Sequence, residues 1–356
     1  MIDFEFRPLR MPEDDHSLRE VLARGFPELD GSQELEDRSL EWKFSESARR
    51  ELSLIAIAAD GGPVGFHGFL PASYRIGGEV ADAAFAVDVA CDPGMRRRGL
   101  FSAMGADALA NIDGQGIQVE FAHLIRSAII PAFVKVGWTA SFALPVYARP
   151  TGAGSLGLRA PLDLGAGMAG SAWRVLAAPL TARPSGSLSR VEPADFASVP
   201  EVSALCSSDH HGVNRLERTP DFWAWRLGRP GADYRCLLAE SGGGSAYAVA
   251  RRSELRGVPA LAVLDIDWNA DRARRLVLRG LLDLAREEEL PLIAMCANQT
   301  FARAIGLVRA GFARLPVKFT FMFRLSAADA PGSASPPSDV GVEANWFTSW
   351  IDSDTL

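Results

Sequence analysis

The six residues Arg96-Arg97-Arg98-Gly99-Leu100-Phe101 carry the clearest chemistry in this chain. A β-rich apolar run, Ala84 to Ala90, precedes them, and an apolar-periodic segment, Leu100 to Ile112, follows. The order is strand, basic glycine-containing turn, helix. A helix start offers unpaired backbone N–H groups and a partial positive charge, which suits a phosphate. The arginines add charge, and Gly99 lets the backbone come close to a ligand. Three adjacent arginines alone describe a solvated turn. Their place between a strand and a helix points instead to an anion site.

The elements that must hold this turn read as an α/β pattern. Phe4 to Leu9 is a first strand, and Pro12-Glu13-Asp14-Asp15 opens a helix through about Arg24 with acids in its first turn. Ser32 to Phe44 reads as a second helix. Leu52 to Ala58 and Val64 to Leu70 are strands joined at Asp60-Gly61-Gly62, and Gly77-Gly78 turns into the long strand ending near Cys91. After the arginine turn come a strand at Gln118 to Leu124, a short helix at Ile129 to Val136 stopped by Gly137, and a strand at Trp138 to Ala148. Residues 150–189 are rich in Gly, Ala, Pro and Ser and read as a linker, with a helix possible at Met168 to Leu176.

The same order returns after residue 230: strands at Tyr234 to Ala239, Ser245 to Arg251 and Ala260 to Asp267, a strongly amphipathic helix at Arg272 to Glu287, a strand at Pro291 to Cys296, a helix at Phe301 to Arg309 and a strand at Val317 to Phe323. Helices are also expected at Val199 to Cys206 and Pro220 to Leu227. This is an internal repeat of architecture at low residue identity. It divides the chain into domains at 1–149 and 190–326, the linker at 150–189, and a tail at 327–356. The tail's Trp346 and Trp350 are expected to dock on one of the domains.

With 356 residues, 48% of them hydrophobic, the chain can bury two sizeable cores. A net charge of −7 argues against a nucleic-acid partner and makes the arginine turn a local feature suited to a small polyanion. Cys91, Cys206, Cys236 and Cys296 are far apart, so neither a disulfide framework nor a metal site is expected, and a cytoplasmic location fits. No apolar leader and no window of membrane-spanning length is present, so no membrane partner is expected.

The segment VDVACDPGMRRRGLFSAM resembles motif A of the GNAT superfamily of N-acetyltransferases, an Arg/Gln-x-x-Gly-x-Gly/Ala pattern after a strand. Arg96, Gly99 and Phe101 occupy its places. SAIIPAFVKVGW resembles motif B, with Gly137-Trp138 as its Gly-aromatic pair. The second half looks like another GNAT fold, but its turn, Asp267 to Arg272, has no glycine, and its acids would repel a pyrophosphate. The layout is similar to tandem GNAT acyltransferases of bacterial nucleotide-sugar pathways, some of which acylate a nucleotide-linked deoxyamino sugar.

The resemblance implies two tandem GNAT folds with a mixed sheet, the second lacking the cofactor loop. It implies acetyl-CoA or another acyl-CoA as cosubstrate, with Arg96, Arg97, Arg98, Gly99, Leu100 and Phe101 at its pyrophosphate. Val89 and Cys91 would pair their backbone with the pantetheine arm as an added strand. Phe101 stands where the family has a small residue, and contact through backbone leaves room for it. Phe133 stands where many members carry a Tyr acid. A thiol pKa near 8.5 makes an unassisted thiolate a tolerable leaving group.

Acyl transfer needs a neutral amine, so a base is required. Asp88, an acid in an apolar strand, is the first candidate; the other reading is a strand Asp facing a hairpin or solvent. A bulge in this strand would re-aim it. His123, at the end of the strand beside the splay, is the second, or else a partly buried His bonded to backbone. His67 lies mid-strand and either lines the acceptor cleft or packs. Asp209-His210-His211 are contiguous, unlike helical ligand pairs three or four apart, and read as a loop holding a polar acceptor rather than a zinc site. Trp223, Trp225 and Arg226 either stack on and pair with a nucleotide diphosphate or form core. Asp352 and Asp354 either reach an amine or end in solvent. The acceptor expected is a small-molecule amine, on a monomer or homodimer. An aminoglycoside-like or peptide amine, and a non-catalytic acyl-CoA-binding scaffold, are the alternatives.

Overall fold

The computed structural model describes residues 4–29, 35–45, 50–95, 97–152, 185–209, 211–326 and 340–352. The linker helix expected at Met168 to Leu176 lies outside them. The chain forms two units, one of residues 1–142, 229–231 and 320–341, the other of residues 143–228, 232–319 and 342–356.

In the first unit β1 (Phe4–Pro8), β2 (Leu54–Ala58), β3 (Pro63–Ile76) and β4 (Glu79–Cys91) pair antiparallel in sequence order. Helix α1 (Asp15–Gly25) and helix α2 (Asp37–Phe44) lie between β1 and β2 in the chain. From β4 the chain crosses through α3 (Leu100–Gly114) to β5 (Val119–Leu124), which runs parallel to β4. A parallel pair requires such a crossover, and an apolar helix supplies it. Helix α4 (Ile130–Lys135) then leads to β6 (Thr139–Pro150). Leu109, Ile112, Phe133 and Trp138 pack with Phe69, Ala84 and Ala122 in one buried cluster.

The second unit repeats this plan. Strands β7 (Ser187–Val191), β9 (Tyr234–Ser241), β10 (Gly244–Leu255) and β11 (Val258–Trp268) are antiparallel neighbours. Helices α5 (Pro200–Ser207) and α6 (Pro220–Leu227), with the two-residue β8 (Arg215–Leu216), fall between β7 and β9. Helix α7 (Asp271–Glu287) crosses to β12 (Leu292–Cys296), parallel to β11. Leu276, Val277, Gly280, Leu281 and Leu284 recur at helical spacing and are buried, which makes α7 the main cover of this sheet. Each buried Leu or Val contributes about 1.5–3 kcal/mol of hydrophobic stabilisation. Helix α8 (Gln299–Ile305) stops before Gly306, short of the predicted Arg309, and β13 (Ala313–Leu325) completes the unit.

The last strand of each unit comes from an exchange. Thr320–Leu325 of β13 belong to the first unit and pair antiparallel with β5. Val146–Pro150 of β6 belong to the second and pair antiparallel with β12. Each repeat therefore begins a long strand in its own unit and ends it in the other.

Candidate functional site

Strands β4 and β5 are bonded only from Ala83–Phe85 to Val119–Phe121. Beyond Phe85, β4 runs on to Cys91 bonded to β3 alone, while β5 runs on to Leu124 bonded to β13. The two parallel strands therefore splay apart, leaving backbone along Ala86–Cys91 facing the gap. Within this stretch the register slips: Gly68 faces Val87 and Phe66 faces Ala90, so Asp88 and Val89 together oppose His67. This is the β-bulge that the sequence raised as a way to re-aim Asp88. Asp88 adopts a left-handed backbone, φ 51°, a region where Asp is tolerated better than most residues. Gly68 is needed opposite, because a Cβ there would lie 2.6 Å from Val87 O.

The arginine turn stands at the end of the same strand. Pro93–Met95 make one 3-10 turn, Arg97 is left-handed at φ 63°, and Gly99 caps α3 at φ 86°. No side chain caps α3 and no acid lies in its first turn. Its first backbone bond runs from Ala103 N–H to Gly99 O. Arg97, Arg98 and Gly99 are exposed and Leu100 is buried. Arg96 lies outside the described residues. An uncapped helix start with exposed arginines and a glycine whose added Cβ would meet nothing within 4 Å fits an approaching pyrophosphate. Phe101 is half-buried and packs on Phe133, ring centroids 5.5 Å apart, so its bulk turns into the domain rather than over the turn.

Asp88 Oδ2 meets Lys43 Nζ of α2 at 2.6 Å; the lysine side chain is 7% exposed and the aspartate 24%. Sequence reasoning missed Lys43, since nothing in SLEWKF sets it apart. His67 stacks on Phe69 at 4.6 Å and tilts over Phe133, while His123 sits edge-on to Phe85 at 4.9 Å and beside Phe321. The two histidines thus have different surroundings. Burial pushes both imidazoles down to about 3, and His67 Nδ1 and His123 Nε2 have no hydrogen-bond partner. Burial, and then Asp92, push the Cys91 thiol up to about 11, which keeps it from acting as a thiolate. Val89 and Cys91 are half-buried.

The remaining candidates fall in the second unit. His211 Nε2 lies 2.9 Å from Asp267, which also holds Arg215 at 3.0 Å. His210 lies outside the described residues. Trp223 is buried against Phe196 and Tyr247 with its Nε1 3.4 Å from Cys206 Sγ, and Arg226 is buried. Asp352 is buried; burial raises its carboxyl to about 7 against the pull of Arg218. The Arg218–Asp265 pair went unread, although Asp265 obeys the rule that selected Asp88: an acid within an apolar strand. Arg218 Nε and Nη2 donate to Asp265 at 2.6 and 2.7 Å, and Tyr247 OH donates to Asp265 at 2.9 Å. Among the described residues no three His, Cys, Asp or Glu side chains group as metal ligands. No helix of theirs is long and apolar enough to cross a membrane.

An antiparallel run ending in a bulged strand, a crossover helix and a parallel pair occur in both units, the basic turn only in the first; this is a fold shared with solved GNAT acetyltransferases. Solved structures agree. The chain is similar to a GCN5-related N-acetyltransferase from Anabaena variabilis (TM-score 0.65, 16% identity, covering 92% of this chain and 74% of that one). It is equally similar to an Enterococcus faecalis protein of unknown function named a probable N-acyltransferase (TM-score 0.65, 16% identity, 92% and 73%). A GCN5-related N-acetyltransferase from Kribbella flavida follows (TM-score 0.60, 15% identity, 94% and 74%). No family model and no curated protein matches the chain.

Proposed function

We propose that the chain is an acyl-CoA-dependent N-acyltransferase that acylates the primary amine of a small molecule, with a nucleotide-linked deoxyamino sugar as the acceptor class. The observation that carries this reading is the coincidence, at one strand end, of the β4/β5 splay, the Asp88 bulge and the uncapped start of α3. Arg96, Arg97, Arg98 and the amides from Arg97 to Phe101 would hold the pyrophosphate, and the backbone at Val89 and Cys91, which β5 does not pair, would take the pantetheine arm. When bound, the thioester supplies an activated acyl group. A bulge leaves backbone donors without a strand partner, and an N–H at Val89 would hydrogen-bond the developing oxyanion.

Asp88, part-exposed beside the buried Lys43 ammonium, is the candidate to receive the amine's proton. His123 is uncharged at neutral pH and suits a hydrogen-bonding role better than proton storage. An acceptor-side role for His67, a cytoplasmic location and a monomeric or homodimeric state belong to the same proposal, whereas Trp223, Arg226 and Asp352 are buried in the second unit and take no acceptor role in it. A non-catalytic acyl-CoA-binding scaffold is the second reading. It is favoured by two buried imidazoles held near 3 and by Phe133, which lacks a hydroxyl.

Thiol release from acetyl-CoA and longer acyl-CoAs, measured across a panel of amines, separates the two. Amine-dependent release, highest with nucleotide-linked amino sugars, is expected. Binding without release under every amine leaves the scaffold reading, and no binding of any acyl-CoA overturns both.

A further inference from the structure

In the second unit the parallel strands β11 and β12 are bonded from Ala260–Val263 to Leu292–Met295. Past that point the chain's own C-terminal residues enter. Ser349 forms an antiparallel bridge with Ala297, and Asn298 N–H donates to Thr348 O. Asn298 also clamps the segment through its side chain: Nδ2 donates to Trp346 O, and Oδ1 accepts from Thr348 N–H. Asn214 holds the other flank, its N–H on Asn345 O and its C=O accepting from Phe347 N–H. Trp346, Phe347, Trp350 and Ile351 are buried. Ser349 Oγ lies 3.4 Å from Asp265 of β11, and Asp352 Oδ1 lies 3.9 Å from Arg218. Isolated bridges at Trp346 and Ser349, between 3-10 turns at Glu343–Asn345 and Trp350–Asp352, seat the segment's backbone, with aromatic anchors and one acidic side chain directed at a buried arginine.

The segment is buried, yet polar atoms of Thr348 and Asp352 are not satisfied there. Thr348 Oγ1 and Asp352 Oδ1 are buried without a hydrogen-bond partner, a cost that each recovers on leaving for water. We propose that the gap beside β11 and β12 is a peptide cleft for an acidic, tryptophan-bearing segment, and that the chain's residues 345–352 are its exchangeable resident. A second copy of the same tail is the partner that fits when the resident is displaced.

The test uses the full chain and a fluorescent synthetic peptide of residues 344–352. The Trp350→Ala/Asp352→Ala chain, with its resident weakened, is expected to bind the peptide at least about tenfold more tightly than the unaltered chain. A peptide carrying the same two changes should bind that variant at least about tenfold more weakly than the parent peptide. Equal binding to both chains, or by both peptides, overturns the proposal. Hydrogen exchange on the unaltered chain decides the matter should the variant not fold. The amides of Thr348 and Ser349 are expected to exchange faster than those of Leu261 and Ile293, through an opening short of global unfolding. Identical protection at all four would make the tail permanent core and contradict the cleft.

Discussion

The two units build the same splay and furnish it in opposite ways. In the first, the gap beside β4 is bordered by backbone in left-handed conformations at Asp88 and Arg97, ending at exposed arginines and an uncapped helix. In the second, the gap beside β11 is crossed by residues 345–352, and α7 begins at Asp271, an acid in its own first turn. Among the described residues, the other non-glycine ones with positive φ, Arg256 and Glu289, lie at a hairpin turn and just past a helix end, not at the second splay. Strained backbone costs about 1–3 kcal/mol per residue and persists where surrounding structure holds it, commonly at functional sites. Strain and open backbone mark the first splay, while burial and the Arg218–Asp265 pair mark the second.

The sharpest way to break this contrast is to remove its central charges. Arg218→Met leaves Asp265 and Asp352 buried without their cation, and should cost about 3–5 kcal/mol in chemical denaturation. Arg98→Ala, on an exposed turn, should stay within about 0.5 kcal/mol in the same experiment. A comparable loss for both would mean the turn is structural. In ligand titrations the order reverses. Arg96→Ala and Arg98→Ala should each weaken CoA binding by about 1–3 kcal/mol, as expected for charge-assisted contacts, with Arg218→Met examined only where it remains folded.

A smaller effect concerns pH. Glu120 in the first unit is buried under Arg324 and Ser326, and burial raises its carboxyl to about 7, the level Asp352 reaches in the second. Asp352 is faced by Arg218, Asp265 and the Ser349 amide. For both groups the unfolded chain gives up its proton near pH 4 and the folded chain near 7. At these two groups the unfolded state thus binds fewer protons across that window, so their contribution to stability falls as pH rises from about 4 to 7. His67 and His123, held at about 3 when folded and titrating at about 6.5 when unfolded, oppose this, so denaturation midpoints should change little over this range and should rise with pH in Glu120→Gln and in Asp352→Asn. A pH profile left unaltered by either substitution would contradict the burial of that carboxyl. The least change is expected from Cys91→Ala, which keeps the strand backbone and should leave turnover within about twofold. A large loss would restore the thiol as a reacting group.

Much of this was legible in the sequence. Strand, basic turn and helix around Arg96 to Phe101 follow from apolar run, glycine and helical period, and the repeat after residue 230 follows from the same periodicities. What escaped were relations between distant residues. The exchange of β6 and β13 leaves no local mark, because a strand looks alike whichever sheet it joins. Lys43 could not be matched to Asp88 without the bulge, since strict alternation aims Asp88 differently. Arg218 and Asp265 are separated by three elements, and only burial makes them a pair. The tail's tryptophans signalled docking, but not that their place would be the gap beside β11.

Calorimetric titration of the full chain with acetyl-CoA tests the central contrast most directly. One equivalent is predicted per chain, with affinity reduced by Arg98→Ala and unchanged by Asp352→Asn. Two equivalents, or a single site indifferent to Arg98, would contradict the assignment of the open splay as the acyl-CoA site.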